Sequence, residues 1–349
     1  MIRPLHIAIA WTGMPYYAAN VIGGLIRAHP DWRFTIVSNH SMIPYAGIED
    51  VVGTEIHRID TKRPLYWREL GVEPPDAMIL TSWSNFAFMT LAREARRRRG
   101  TFVISMVDNY WRGTPKQLAG ILYFRLRLRG LFDRVWVPGA RGAHFLRVLG
   151  MPPSRVMSSL YTADPNVFYP PSTYEKRREI VFVGQLIPRK GVWEITKALT
   201  MRDSDDRIAV RLVGHGPLAD GLRQAGAEVV GFQQPHELAK TYRRAGALLM
   251  PSRLDHWGVV AHEAACCGCL ILATRQCACI DDLVEHGQNG YVMNRCSAKE
   301  ILKAIDWYQN LSGVALASGR HLSIRKASAF TPSRWREVFE EALREEKLL

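Results

Sequence analysis

No run of this 349-residue sequence approaches the ~18 apolar residues that a membrane-spanning helix needs. The apolar opening, Leu5 to Trp11, is too short for the hydrophobic region of a signal peptide and reads as a first strand. A cytoplasmic protein is expected, with the inner face of the membrane as a candidate peripheral location. Repeats and low-complexity segments are missing, which excludes solenoids and disordered tails. Cysteine is absent from the first 265 residues; all six lie between Cys266 and Cys296. Cys266-Cys267-Gly268-Cys269 with Cys277-Ala278-Cys279 offers C-x2-C and C-x-C spacings, enough for four zinc ligands. The competing reading is reduced, buried thiols acting as small apolar side chains; it is the expected one, and no metal is expected. His262 lacks the second histidine that a zinc-protease helix carries four residues on, where Cys266 stands. Nothing resembles a helix-turn-helix, zinc-finger or RNA-binding motif, so no nucleic-acid partner is expected.

What is present is ample apolar content, 47% of residues, and a formal net charge of +13. The length suggests two domains, and the charge favours anionic partners without choosing among them. Apolar runs alternate with helical patterns from end to end. Strands are predicted at Leu5–Ala10, Phe34–Val37, Ala77–Leu80, Phe102–Val107 and Arg134–Val137, and helices near 15–28, 85–99, 115–131 and 139–149. After a proline-rich break from Ala163 to Pro171, strands are predicted near 179–183, 208–213, 228–230, 246–250 and 269–273. Such alternation implies parallel sheets covered on both faces. A last amphipathic helix is predicted from Pro332 to Lys347.

Two basic stretches stand out. Arg96 to Arg99 end a helix, where cations complement its dipole. Tyr123 to Gly130 mixes arginines with large apolar side chains. Arg125 and Arg129 share a helix face there, and Trp111 and Arg112 lie close in sequence. A solvated face is one reading of these four residues. A contact with an anionic membrane surface or an acidic acceptor is the other.

The richest stretch runs from Pro251 to Gly268. An acid, Asp255, is followed by Gly258 and then by a helix that carries Glu263 eight residues after the first acid. A glycine at a helix start lets backbone N–H groups approach an anion, which the helix dipole also favours. A carboxylate one or two turns in can accept hydrogen bonds from a sugar diol. The combination suits a nucleotide diphosphate with a sugar on either side.

This arrangement resembles the retaining GT-B glycosyltransferases of the GT4-type family (glycosyl transferases group 1), whose hallmark is an acid, seven residues, then Glu. Val181-Phe182-Val183-Gly184-Gln185-Leu186-Ile187-Pro188-Arg189-Lys190-Gly191 is similar to the family's strand, Gly-Arg, loop and Lys-Gly. Leu212-Val213-Gly214-His215-Gly216-Pro217, Val230-Gly231-Phe232 and Gly287-Gln288-Asn289-Gly290-Tyr291 match further family segments in order and spacing. The resemblance covers the C-terminal half well and the N-terminal half only in layout. It implies an α/β fold of two facing Rossmann-like, doubly wound domains with an interdomain cleft. An acceptor-binding domain is expected at 1–168, joined by a helix at about 331–349 that crosses back to it. A nucleotide-sugar-binding domain is expected at 169–330.

The resemblance also assigns residues. Glu263 would bind ribose hydroxyls. Asp255, where the family has Glu, would contact hydroxyls of the donor sugar; capping the following helix is its alternative role. Backbone amides around Trp257, Gly258 and Val259 would face the diphosphate, with Gly214, Gly231 and Phe232 completing the donor site and His256 beside the sugar. Gly13, between the first strand and the first helix, either lets the backbone approach a phosphate or makes a plain tight turn. Lys190 would stabilise charge on the leaving diphosphate. Gln185 stands where the family has Arg, and Arg189 is a candidate substitute or a solvated loop residue. Asp108 follows the strand that in relatives ends in His; contact with a sugar or attacking hydroxyl and plain turn chemistry both fit it.

The implied activity is retaining transfer of a sugar from a UDP- or GDP-sugar, without metal, to a hydroxyl of a glycan or lipid-linked acceptor in cell-envelope polysaccharide or glycoconjugate synthesis. The alternatives are a GT-B nucleotide-sugar epimerase or hydrolase, and a non-catalytic basic binding protein.

Overall fold

In the computed structural model, which describes residues 3–41, 43–60, 62–173, 179–202 and 208–349, seven short strands form one parallel sheet. They are β1 (His6–Trp11), β2 (Arg33–Ser38), β3 (Ile56–Arg58), β4 (Ala77–Thr81), β5 (Phe102–Met106), β6 (Arg134–Trp136) and β7 (Val156–Met157), in the spatial order β3-β2-β1-β4-β5-β6-β7. All six residues of β1 are buried, as a strand covered on both faces requires. Its side chains alternate between two cores: Ile7 and Ile9 enter one cluster, Ala8 and Ala10 the other.

Helices α1 (Tyr16–Ala28), α2 (Ile48–Val52), α3 (Phe86–Arg99), α4 (Pro115–Tyr123) and α5 (Ala140–Leu149) link these strands. The C-terminal helix Pro332–Glu345 joins the same unit. It buries Trp335, Val338, Phe339, Ala342 and Leu343, a stripe at helical spacing. Trp335 stacks on Trp136 of β6 with ring centroids 4.6 Å apart, and Glu340 meets His29 at 2.9 Å. This unit comprises Met1–Thr162 and Pro332–Leu349; the other comprises Ala163–Thr331.

The second unit repeats the design with six parallel strands. They are β8 (Glu179–Val183), β9 (Ala209–Val213), β10 (Glu228–Gly231), β11 (Ala247–Met250), β12 (Leu270–Thr274) and β13 (Gly290–Met293), ordered β10-β9-β8-β11-β12-β13. They alternate with α6 (Val192–Thr200), α7 (Ala219–Gln224), α8 (Pro235–Arg244), α9 (Val259–Cys266), α10 (Ile280–Leu283), α11 (Ala298–Gln309) and α12 (Gly313–Ala327). Every residue of β11 and β12 is buried, which is why both read as unbroken apolar runs.

The helix predicted at 115–131 departs from expectation. Its α-helical part ends at Tyr123 and continues as a π-helical turn, Phe124–Leu128. There the Arg129 N–H reaches back five residues to the Phe124 carbonyl at 2.8 Å. Phe124 and Leu128 are fully buried in this turn. Among the described residues, no helix is long and apolar enough to cross a membrane.

Candidate functional site

In each sheet the strand order reverses once, and in open parallel sheets ligands bind beyond the strand C-termini at that reversal. In the second unit it falls between β8 and β11. The residues of interest there lie at or beyond the C-terminal ends of β8, β9, β10 and β11, on the loops that follow and on α9. The turn after β9 packs directly on the loop after β8: a Cβ on Gly214 would sit 1.9 Å from the Gly184 carbonyl oxygen, so only glycine fits. Leu186 N–H donates to His215 O at 2.8 Å, and Leu218 N–H to Leu186 O at 3.2 Å. The loops after β8 and β11 are stitched in turn. Arg253 N–H donates to Arg189 O at 2.8 Å, and the Arg189 guanidinium donates to Leu254 O at 2.6 Å.

That stitching brings Lys190 and Asp255 together across the reversal. Their side chains form an ion pair of 2.5 Å and are 13% and 8% exposed. Ser252 donates a further hydrogen bond to the same carboxylate oxygen at 3.3 Å. Asp255 therefore does not cap the next helix. The N-cap of α9 is Gly258, at φ +82°, with no side-chain cap. A Cβ on Gly258 would meet the Met250 side chain at 2.7 Å and the Asp255 carboxylate at 3.4 Å. The first turn of α9 thus starts beside the acid, and its N-cap residue, a glycine, has no side chain to cap the first N–H groups. Trp257 is fixed beside it by a 2.8 Å hydrogen bond to Asp282, whereas His256 and Val259 are half-buried. Arg189, the candidate substitute for the family's arginine, spends its guanidinium on the Leu254 carbonyl. Phe232 lies edge-on to His215, ring centroids 5.8 Å apart, and Gly231 sits at φ +91° with open space where a side chain would go. Gln185 is half-buried, its main-chain carbonyl accepting from Ile187 N–H at 3.0 Å.

Glu263 lies one turn into α9, buried, and accepts a hydrogen bond from the Tyr242 hydroxyl at 3.3 Å. Burial pushes its carboxyl up from 4.5 to about 7, against the lowering effect of the Tyr242 bond. The same burial, with the Glu263 carboxylate next to it, raises the Tyr242 hydroxyl well above its ordinary value. The neighbouring His262 is a structural tie. Its Nδ1 accepts from Ala163 N–H at 2.9 Å and its Nε2 sits 2.9 Å from the Ala327 carbonyl. That pair of partners requires the neutral Nε2–H tautomer, and burial lowers its pKa to about 4.

Cys267, Cys269, Cys277 and Cys279 are buried, and all six cysteines are free. Burial raises the thiols of Cys266 and Cys277 to about 12. Among the described residues, no group of three or more His, Cys, Asp or Glu is disposed to hold a metal.

In the first unit the reversal falls between β1 and β4. Thr12 and Thr81 meet across it, the Thr12 N–H donating to the Thr81 hydroxyl at 2.9 Å. Gly13 follows at φ +71°, its N–H donating to Asn39 Oδ1 at 2.9 Å. Asp108 is half-buried and accepts from the Tyr161 hydroxyl at 3.2 Å. Tyr17 packs edge-on to Tyr161 at 5.1 Å, and burial together with the Asp108 charge raises both phenols above their ordinary range. Of the basic residues near α4, Arg125 donates to the carbonyls of Val148 and Leu149 at 3.0 and 3.2 Å, closing the end of α5. Trp111 stacks on Phe145 at 6.3 Å. Arg112 and Arg129 are exposed.

Tyr242 and Ser252 belong to the site and carry no sequence signal. Tyr242 reads as one more apolar position of α8, and Ser252 as a loop serine.

Residues 167–315 match the model of the family described as Glycosyl transferases group 1. A D-inositol 3-phosphate glycosyltransferase of Actinosynnema mirum is 31% identical over 208 residues, 47% of this chain and 47% of that protein. The chain spans about half the length, or less, of the curated relatives it matches: 28%, 47% and 52% for three of them. Among solved structures, Anabaena HepE in complex with UDP superposes with a TM-score of 0.75 at 14% identity, over 98% of this chain and all of that one. Sucrose-phosphate synthase from Thermosynechococcus elongatus gives 0.74 at 14% identity, over 99% of each chain. The chain therefore has a GT-B-type architecture of two Rossmann-like sheets, and its residues 167–315 are similar to the Glycosyl transferases group 1 domain.

Proposed function

We propose that this chain is a retaining glycosyltransferase of the GT4 type, which moves a sugar from a nucleotide-diphosphate donor to a hydroxyl of a glycan or lipid-linked acceptor. The observation that carries the reading is the Lys190–Asp255 pair at the strand-order reversal, beside the start of α9, which carries Glu263 one turn in. The diphosphate seats on the first N–H groups of α9, and the Glu263 carboxylate accepts hydrogen bonds from the ribose diol. UDP is the favoured nucleotide, because structurally similar HepE has been solved with UDP and with UDP-glucose.

Lys190 is held by Asp255. An arriving diphosphate offers two further negative charges, and Lys190 exchanges the carboxylate for a phosphate oxygen. Asp255 is thereby released to hydrogen-bond the donor sugar. As the bond from the anomeric carbon to phosphate breaks, charge grows on the leaving oxygen, where Lys190 and the α9 amides stabilise it more than in the ground state. The acceptor oxygen bonds to the anomeric carbon on the same face and its proton passes to the leaving phosphate, so the anomeric configuration is kept. Positioning and charge do the work, without a divalent metal. Asp108, held by Tyr161 in the first unit, orients a sugar or acceptor hydroxyl. Cell-envelope glycan synthesis is the fitting context for such acceptors.

The test is a thermal-shift panel of UDP, GDP, ADP, TDP and CMP, each with and without magnesium, on wild type and Glu263→Ala. UDP should raise the melting temperature of the wild type alone, magnesium or not. A panel in which no nucleotide stabilises the wild type removes the donor site as assigned.

A further inference from the structure

We propose that α4 and the π-helical turn after it form a docking face for an anionic lipid surface. The segment is apolar on two sides. Its inner side is anchored by Phe124 and Leu128, both fully buried, with Phe124 packed on Trp83 and Phe132. Its outer side shows Leu118, Leu122, Tyr123 and Leu126, which are 56%, 62%, 49% and 71% exposed. Leu118, Leu122 and Leu126 succeed one another four residues apart and so form a ridge. None of the nine residues of α4 is buried. Exposed leucines scattered singly are ordinary on a protein surface, but three in one ridge are not scattered.

Charge selects the occupant. From Asp108 to Asp133 no acidic residue intervenes, while Arg112, Lys116, Arg125, Arg127 and Arg129 supply five basic ones. Arg112, Lys116, Arg127 and Arg129 are exposed on the same stretch of chain as the leucine ridge, and Arg125 is engaged at the end of α5. Apolar side chains that enter the acyl boundary, ringed by cations that meet headgroup phosphates, is the pattern of an interfacial helix. A buried protein partner or a second copy of this chain would instead have to neutralise or exclude that charge. The inference is independent of the transferase reading, because vesicle binding is measured without donor or turnover.

The experiment is co-sedimentation of the full chain with phosphatidylcholine vesicles, with and without phosphatidylglycerol, across a salt series. Wild type should pellet with the phosphatidylglycerol vesicles and be released by salt. Arg127→Gln with Arg129→Gln should lower partitioning roughly 30-fold, two cations' worth of headgroup attraction. Leu122→Ser with Leu126→Ser should lower it at least tenfold. Both pairs are exposed, so the melting temperatures should match wild type and show that the fold is kept. Partitioning that neither double variant alters would place lipid contact elsewhere and overturn the proposal. So would a wild-type dimer in sizing chromatography that Leu122→Ser with Leu126→Ser dissolves, because a second copy would then own the face.

Discussion

Glu263 gives the sharpest test of the site, because its burial makes stability and binding move in opposite directions. Its carboxyl is held near 7 by burial against 4.5 in the unfolded chain. Between those values the folded protein binds more protons than the unfolded one, so this residue's contribution to stability falls as pH rises from 4.5 to about 7. Above that the full cost of a buried charge is present, about 3 kcal/mol at 1.36 kcal/mol per pH unit. Glu263→Gln keeps the shape and an acceptor for Tyr242 but removes the charge. The variant should melt alongside wild type near pH 4.5 and above it at about pH 8, by up to roughly 6–12 °C for a unit of this size. The assay is thermal unfolding of both proteins across that pH range. A difference that stays flat with pH refutes the burial argument, since other titrating groups cancel in the comparison. A ribose diol bonded to the carboxylate would hold the charged form, so nucleotide binding should release a proton. The melting-temperature gain from UDP should then grow from about pH 6 to about pH 8 in wild type and not in the variant.

Lys190→Met leaves Asp255 buried without its counter-charge and should cost about 3–5 kcal/mol in denaturant unfolding. Adding Asp255→Asn should restore most of that stability while turnover stays at least about a hundredfold down; recovery of turnover in the double variant would remove both residues from the chemistry. Gly214→Ala should prevent the second unit from folding, because its new methyl meets a backbone oxygen. Gly231→Ala, with open space around it, should cost only about 1–2 kcal/mol of backbone strain; equal effects on soluble yield would contradict the packing described. His262, lowered to about 4, is neutral when folded and binds fewer protons than the unfolded chain below 6.5. Its stabilising contribution should therefore be present above pH 6.5 and be lost by about 1.4 kcal/mol per pH unit on acidification. His262→Gln should flatten that acid limb in thermal unfolding relative to wild type.

The long buried strands were legible in the sequence because a strand covered on both faces must be apolar throughout; β11 and β12 are the plainest cases. Strands β3 and β7 have three and two residues, too short to show any period. Strand β13 begins at Gly290, inside a stretch that read as a motif rather than a strand. Lys190 and Asp255 were each marked by local pattern, but their ion pair spans 65 positions and depends on the order of β8 and β11 in the sheet. Tyr242 was invisible for a different reason: its hydroxyl matters only because Glu263 arrives from another helix. The leucines of α4 carry the spacing of core residues, and nothing in a sequence says which side of a helix the protein leaves uncovered.

The thiols have a practical consequence. All six belong to the second unit, so the first is silent to any thiol reagent. Burial raises the thiols of Cys266, Cys267, Cys277, Cys279 and Cys296 above their ordinary value, and four of the six cysteines are out of solvent reach. Alkylation of Cys267, Cys269, Cys277 or Cys279 must therefore wait for the surrounding strands and helices to part. The rate at which mass is added is a built-in clock for opening of the second unit alone.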